Sequence, residues 1–309
     1  MSETHRIAKR ALADLLDNKD LAESNAADLM RALTDPELPA ALAGAILAAL
    51  RLKGETADEI RGFATVMREL ALDPGIPPGA PTVDCVGTGG DGSGSLNIST
   101  GAALLAAASG LRVVKHGNRA ISSKSGSADV LEALGLPLPL DENNAVRCLE
   151  ATDFTFLFAP FYHPAMKSIA PVRAAMGVRT VFNLLGPLSN PARPPYGVIG
   201  AFSRDAARLM ADTLSGMDIA RVFVVHGEPG WDEATPVGPF LLYDVRPGQI
   251  EEEHRDPRDY KIDRCRPEDL TGGDAADNAQ ELRAVFKGKL GAHYDALTLG
   301  AALMLEVTG

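Results

Sequence analysis

The sequence predicts an α/β protein in two parts: a small all-helical domain over residues 1–76 and a larger α/β domain with a mostly parallel central sheet. Three observations carry this. From Arg6 to about Leu72 apolar residues recur at helical spacing; a Pro- and Gly-rich passage, DPGIPPGAP at 73–81, then breaks the pattern; beyond it apolar runs alternate with amphipathic stretches. That alternation is the pattern of a parallel sheet whose faces are covered by helices.

In the first part, AADLMRAL and ADEIRGFATVMREL are helix-periodic, and the breaks fall at Asp35-Pro36 and Gly54. In the second, VDCV, LRVV, FTFLF, GVIGAF and VFVVHG read as buried strands, with STGAALLAAAS, ADVLEAL and RDAARLMADTL as helices between them. The chain turns helical again between about His163 and Pro194. The helical domain is therefore expected to draw a second piece from 163–194, leaving 77–162 and 195–309 to the α/β domain.

At 309 residues, 46% hydrophobic and 23% charged, the chain has the composition of a folded globular protein. Its 30 Lys+Arg against 41 Asp+Glu give a net charge of −11, which argues against long anionic partners such as nucleic acid and leaves room for a small anion. Cys85, Cys148 and Cys265 are odd in number and show no C-x-x-C spacing, so neither a disulfide framework nor a structural zinc site is expected. The most apolar N-terminal window, Leu38 to Leu52, is too short to cross a bilayer and carries Arg51. A cytoplasmic protein with no membrane partner is expected.

Chemistry concentrates after the first strand. GTGGDG at 87–92 fits G-x-G-x-x-G, but a dinucleotide site also needs an acid about 20 residues on, at the end of the next strand. Here that strand, LRVVKHG, ends in Lys115 and His116. What remains is a glycine loop leading into a helix that begins near Ser99 or Thr100, where free N–H groups can cradle a phosphate. A tight turn with a capping serine would use the same residues. Charge separates the two: Gly92 to Ala128 holds no Asp or Glu in 37 residues, where proportion predicts roughly five, yet it carries Arg112, Lys115, Arg119 and Lys124. An acid-free window with two glycine turns and the hydroxyls of SSKSGS at 122–127 suits a polyphosphate ligand.

Two further elements complete the set. Asp232-Glu233 follows the strand VFVVHG, and adjacent carboxylates at a strand end are hard ligands for magnesium shared with substrate phosphates. In HPAMKSIAPVRAAMG at 163–177, His163 and Lys167 are spaced to share a helix face, and Arg173 is a candidate partner for a ligand carboxylate.

Together these strings resemble the anthranilate phosphoribosyltransferases of tryptophan biosynthesis. KGET at 53–56, GTGGDGSGSLNIST at 87–100, KHGNRAISSKSGSADVLEALG at 115–135, HPAMK through RTVFNLLGPLSNPA at 163–192, and GGDAADNA at 272–279 carry the resemblance across nearly the whole chain. It implies a helical domain joined to an α/β domain of the nucleoside phosphorylase/phosphoribosyltransferase type, and a homodimer formed through the helical domains. It also implies transfer of the phosphoribosyl group of phosphoribosyl pyrophosphate to the amine of anthranilate, with Mg2+.

The resemblance assigns the donor to Gly87, Gly90, Asp91, Ser95, Asn97, Ile98, Ser99 and Thr100, and to Lys115, His116, Gly117, Asn118, Arg119, Ala120, Ile121, Ser122, Ser123 and Ser127. It assigns the metal to Ser99, Asp232 and Glu233, and anthranilate to Gly87, His116, Asn118 and Arg173. No general base is assigned, because an aromatic amine is already neutral at pH 7. Three positions depart from the pattern: Tyr294 stands where an arginine is expected, Gly300 where an asparagine is expected, and Lys261 where relatives more often carry glycine. A pyrimidine nucleoside phosphorylase would share the fold, but the KHGN run and the Asp232-Glu233 pair favour the transferase. A nucleic-acid-binding relative would need an extended basic surface, which the net charge opposes.

Overall fold

The alternation of strand and helix after residue 81 builds one seven-stranded sheet in the computed structural model, which describes residues 2–77, 80–120 and 124–309. Before it come α1 (Glu3–Leu16), α2 (Glu23–Leu33), α3 (Ala40–Lys53) and α4 (Ala57–Glu69). The sheet then opens with β1 (Thr82–Gly87), α5 (Ile98–Ala108), β2 (Arg112–Gly117), α6 (Ser127–Leu134), α7 (Glu142–Thr152) and β3 (Phe154–Phe158). The short helices α8 (Ala159–Tyr162), α9 (Ala170–Met176) and α10 (Phe182–Leu185) follow. The chain closes with β4 (Tyr196–Gly200), α11 (Arg204–Ser215), β5 (Arg221–Gly227), β6 (Phe240–Arg246), β7 (Gln249–Arg255), α12 (Ala275–Phe286) and α13 (Ala292–Thr308). Among the described residues no helix is long and apolar enough to cross a membrane.

Two units separate: Met1–Leu72 with Pro160–Pro191, and Asp73–Ala159 with Ala192–Gly309. Their limits lie three to four residues from the boundaries expected at 76, 163 and 194. In the first unit, the returning piece is tied to the helices by Leu72 N to Tyr162 O (2.8 Å), Arg68 Nε to Leu188 O (2.7 Å) and Ser168 Oγ to Thr34 O (2.9 Å). The KGET string is the connector between α3 and α4. Gly54 takes φ 86°, Thr56 caps α4, and Lys53 Nζ reaches the fully buried Glu59 at 3.1 Å, whose Oε1 also accepts from Leu21 N. The expected shared face of His163 and Lys167 does not form. Residues 164–167 make a single 3-10 turn after His163, which points inward and is buried, while Lys167 is exposed. Desolvation pushes the His163 pKa down to about 4, so the imidazole is neutral at pH 7.

In the second unit the strand order is β3-β2-β1-β4-β5-β6-β7, the first five parallel and the last two antiparallel. The connections run outward in one direction from β1 and in the other from β4. The switch point therefore lies between β1 and β4, and a ligand crevice is expected at their carboxyl ends. Helix α5 is nearly all small residues because it lies between the sheet and α13: Ala102, Ala103, Ala106 and Ala107 are buried. Gly300 belongs to this contact, since a Cβ there would come within 2.8 Å of Ala102 Cβ.

Lys261 has a local meaning too. It ends the turn 257–260 with φ 63° and ψ 30°, the left-handed region where a Cβ is strained. Lys261→Gly is expected to raise stability by up to about 1 kcal/mol, the relief being partly offset by glycine's greater freedom in the unfolded chain. A denaturant midpoint unchanged or lowered in that variant would contradict this.

Candidate active site

Four strands of the second unit end in glycine, and one loop lies across three of those ends, those of β1, β4 and β5. A Cβ on Gly87 of β1 would come within 2.3 Å of Asp232 Oδ2, one on Gly200 of β4 within 1.5 Å of Asp232 O, and one on Gly227 of β5 within 2.2 Å of Glu233 O. Absent side chains at the carboxyl edge thus let the Asp232-Glu233 backbone settle onto the switch point. The loop is anchored by Gly227 N to Trp231 O (2.9 Å) and Trp231 N to Gly227 O (2.8 Å).

The glycine loop after β1 meets these carboxylates directly. Gly89 N donates to Asp232 Oδ2 at 2.6 Å, Ser99 N donates to Glu233 Oε1 at 2.9 Å, and Asp232 N donates to Asp91 Oδ2 at 3.3 Å. Gly89 and Gly90 both have positive φ (71° and 75°), which turns successive N–H groups toward the crevice. Helix α5 starts at Ile98 with Asn97 at its cap, so Ser99 lies in the first turn with its backbone N–H free of the helix ladder. The capping-serine reading of Ser99 therefore does not hold.

Lys115 is 1% exposed and carries its charge inward: Nζ bonds Cys85 O and lies 3.5 Å from Ser99 Oγ. Even so, the acids are undercompensated. Burial first, then Asp91, pushes the Asp232 carboxyl up to about 7, and burial with Asp232 nearby drives Glu233 well above the usual range. A different acidic group, Asp244 with Glu251 and Glu253 on β6 and β7, is already matched by Arg221, Arg246 and Arg255. Unmatched hard oxygens at Asp232 and Glu233, beside the Ser99 hydroxyl, fit a divalent cation.

The second loop, after β2, is closed by a carboxylate. Asp129 Oδ2 accepts from both Ala120 N and Gly126 N at 2.9 Å. Asn118 Oδ1 accepts from Arg119 N at 2.7 Å, and Thr100 Oγ1 donates to Ser127 Oγ at 3.1 Å, joining the second loop to α5. His116 is buried, its N donating to Asp84 Oδ1 at 3.3 Å. Ile121, Ser122 and Ser123 lie outside the described residues.

The acid-free window is less uniform than its composition implies. Arg112 begins β2, at the opposite edge of the sheet, and the Arg119 guanidinium pairs with Asp129 and Glu132, just past the window, above the Phe158 ring. Lys115 brings its side-chain charge to the meeting of the two loops, while Lys124, within the second loop, is exposed. Arg173 belongs to the first unit, within α9. Its guanidinium stacks 4.7 Å from the Phe182 ring centroid and is partly desolvated, and among the described residues no carboxylate pairs with it. Sequence reasoning missed Gly200, Gly227 and Asp129. The first two were written as GAF and HGE at strand ends, where a glycine signals close approach of another backbone.

Comparison with known proteins places this geometry. Residues 79–309 match the α/β domain model of a glycosyl transferase family, and residues 9–71 match its helical bundle domain. The anthranilate phosphoribosyltransferase of Solibacter usitatus is 44% identical over 300 residues, covering 96% of this chain and 88% of its own. That of Synechocystis sp. is 45% identical over 298 residues, covering 96% and 86%. Among solved structures, anthranilate phosphoribosyltransferase from Thermus thermophilus superposes with a TM-score of 0.90 at 42% identity, covering 97% of this chain and 89% of that one. The Saccharomyces cerevisiae enzyme in complex with PRPP and Mg superposes with a TM-score of 0.88 at 24% identity, a likeness of fold, covering 99% and 89%.

Proposed function

The chain belongs to the anthranilate phosphoribosyltransferases, and from that premise we propose how its residues divide the reaction. The enzyme transfers the phosphoribosyl group of phosphoribosyl pyrophosphate to the amine of anthranilate and releases pyrophosphate, a step of tryptophan biosynthesis that uses Mg2+. The observation that carries the assignment to this edge is the buried, undercompensated pair Asp232 and Glu233 lying against the glycine loop and the first turn of α5.

The loop from Gly87 to Thr100 and the run from Lys115 to Ala120, with Ser127, are assigned to the donor. Ser99, Asp232 and Glu233 are assigned to magnesium, which when bound offsets negative charge on the departing pyrophosphate. Loss of pyrophosphate leaves positive charge on the ribose. The chain's share is therefore to receive the leaving charge on Lys115 and on backbone N–H groups already oriented before the reaction. The acceptor needs placement more than activation, since its amine is neutral at pH 7. Gly87, His116 and Asn118 are assigned to that placement, and Arg173 to the anthranilate carboxylate.

Anthranilate fluorescence should fall when phosphoribosyl pyrophosphate and magnesium are added; no loss beyond an enzyme-free control would overturn the reading. Arg173→Ala should raise the KM for anthranilate roughly ten- to a hundredfold, the worth of one charge-assisted hydrogen bond, and leave the KM for the donor nearly unchanged. Equal losses for both substrates would remove Arg173 from the acceptor site. A homodimer through the helical unit is also proposed, supported by the exposed apolar residues Leu16 and Leu52, with sedimentation as the check. A cytoplasmic location is proposed from the three free cysteines.

A further inference from the structure

Asn278, which is tied to both donor loops through Asn97, lies outside every assignment above. Residues 270–273 run antiparallel behind the first loop: Leu96 N donates to Leu270 O and Gly272 N to Gly94 O, each at 2.9 Å, with Ser95 bridged to Thr271. The approach is close enough that a Cβ on Gly272 would come within 2.6 Å of Ser95 O. The strap then enters α12, capped by Asp274, whose side chain accepts from Ala276 N and Asp277 N. Asn278 follows in the first turn and is 2% exposed.

Its amide belongs to a chain of three bonds. Asn278 Oδ1 accepts from Gly273 N (2.7 Å), Asn278 Nδ2 donates to Asn97 Oδ1 (2.9 Å), and Asn97 Nδ2 donates to Ser125 O (3.1 Å). Backbone groups fix both amide orientations. Ser125 O can only accept, so Asn97 must present Nδ2 to it and Oδ1 to Asn278; Gly273 N can only donate, so Asn278 must present Oδ1 to it. A half-buried network whose orientation is fixed at both ends in this way has one low-energy arrangement.

We propose that Asn278 is a positioning residue for the phosphoribosyl donor, acting through Asn97 to set the spacing between loop 88–97 and Ser125 of the loop after β2. The inference rests on the reading of those loops as the donor site. A purely local role, steadying the start of α12, requires only Oδ1 and its bond to Gly273. The Nδ2 bond reaches 181 residues away to Asn97, the cap position of the helix whose first turn holds Ser99. Asn97 in turn grips the second loop at Ser125, so a shift at Asn278 reaches both donor loops.

Asn278→Asp separates the two roles, because it keeps the acceptor for Gly273 N and removes the donor for Asn97. It should raise the KM for phosphoribosyl pyrophosphate roughly five- to tenfold, the worth of one buried hydrogen bond, with the KM for anthranilate within about twofold. Hydrogen exchange in the ligand-free protein should quicken at the amides of 94–99 and 125–128 and stay unchanged in α1–α4. Should the buried carboxylate unfold the protein, Asn278→Ala carries the same comparison of the two KM values and the same exchange map. Equal increases in both KM values, or an unchanged donor KM with unchanged exchange, would overturn the proposal. A wild-type protein without turnover would instead sink the functional reading, and the exchange map would still decide whether Asn278 couples the loops.

Discussion

Replacing both carboxylates by their amides, Asp232→Asn with Glu233→Gln, should lower kcat at least about a hundredfold and weaken the magnesium dependence, while making the metal-free protein more stable above pH 7. The two effects share one cause. Asn and Gln are close in shape to the acids they replace, and their side-chain oxygens can still accept from Gly89 N and Ser99 N. What they remove is charge that the fold holds at a cost.

The sign of the pH dependence follows from the raised carboxyl pKa values. Asp232 titrates near 3.8 in the unfolded chain and about 7 in the fold, and Glu233 is shifted in the same direction. Between those limits the native state binds more protons than the unfolded one, so the contribution of these groups to stability falls as pH rises from about 4 through 7. Metal-free wild type should therefore melt below the double variant at pH 8 and close to it at pH 4. Magnesium with pyrophosphate should raise the wild-type melting temperature and leave that of the variant almost unmoved. Identical magnesium titrations of activity in the two proteins would remove the pair from the metal site.

Local chemistry was legible in the sequence because glycine, hydroxyl and charge composition are local properties. The loop at 87–100, the run from Lys115, and Asp232-Glu233 meet at one sheet edge, as the parallel alternation implied. The contacts that make them one site were not legible, since they join residues 143 and 134 positions apart and depend on which strands are neighbours. The acid-free window shows the limit of composition. It located two loops that meet, but Arg119 finds its partners at Asp129 and Glu132, in the next helix, and Arg112 sits at the far end of its strand.

The hairpin of β6 and β7 was missed for a different reason. The run FLLYDVR is apolar and is followed by Pro247-Gly248, a turn signal, but its partner QIEEEHR is an edge strand whose outward residues are charged and mask any apolar alternation. The resemblance, which spans the chain, supplied what local patterns could not, namely the roles proposed for Ser99 and for the acceptor residues.

The strand-end glycines turn that long-range dependence into a sharp expectation. Gly200→Ala should abolish measurable activity, because its Cβ would fall 1.5 Å from Asp232 O and no rotamer can move a backbone oxygen aside. Either the loop 228–235 lifts, carrying Asp232 away from Gly89, or β4 slips against β1 and β5. Both outcomes break the bonds from Gly89 N and Ser99 N that hold the carboxylates over the switch point. Gly197→Ala, three residues earlier on the same buried strand, is the matched control. Its Cβ would meet Asp84 O at 3.6 Å and Val222 at 3.8 Å, ordinary contact distances, and both positions have the same β-strand backbone. It should retain most of the wild-type kcat and melt within a few degrees of it. Since both variants add one methyl group to β4, a difference confined to Gly200 isolates the crossing of the Asp232-Glu233 loop. Comparable activity in the two variants would mean that the loop can leave the strand ends without loss, and that the close approach is incidental to catalysis.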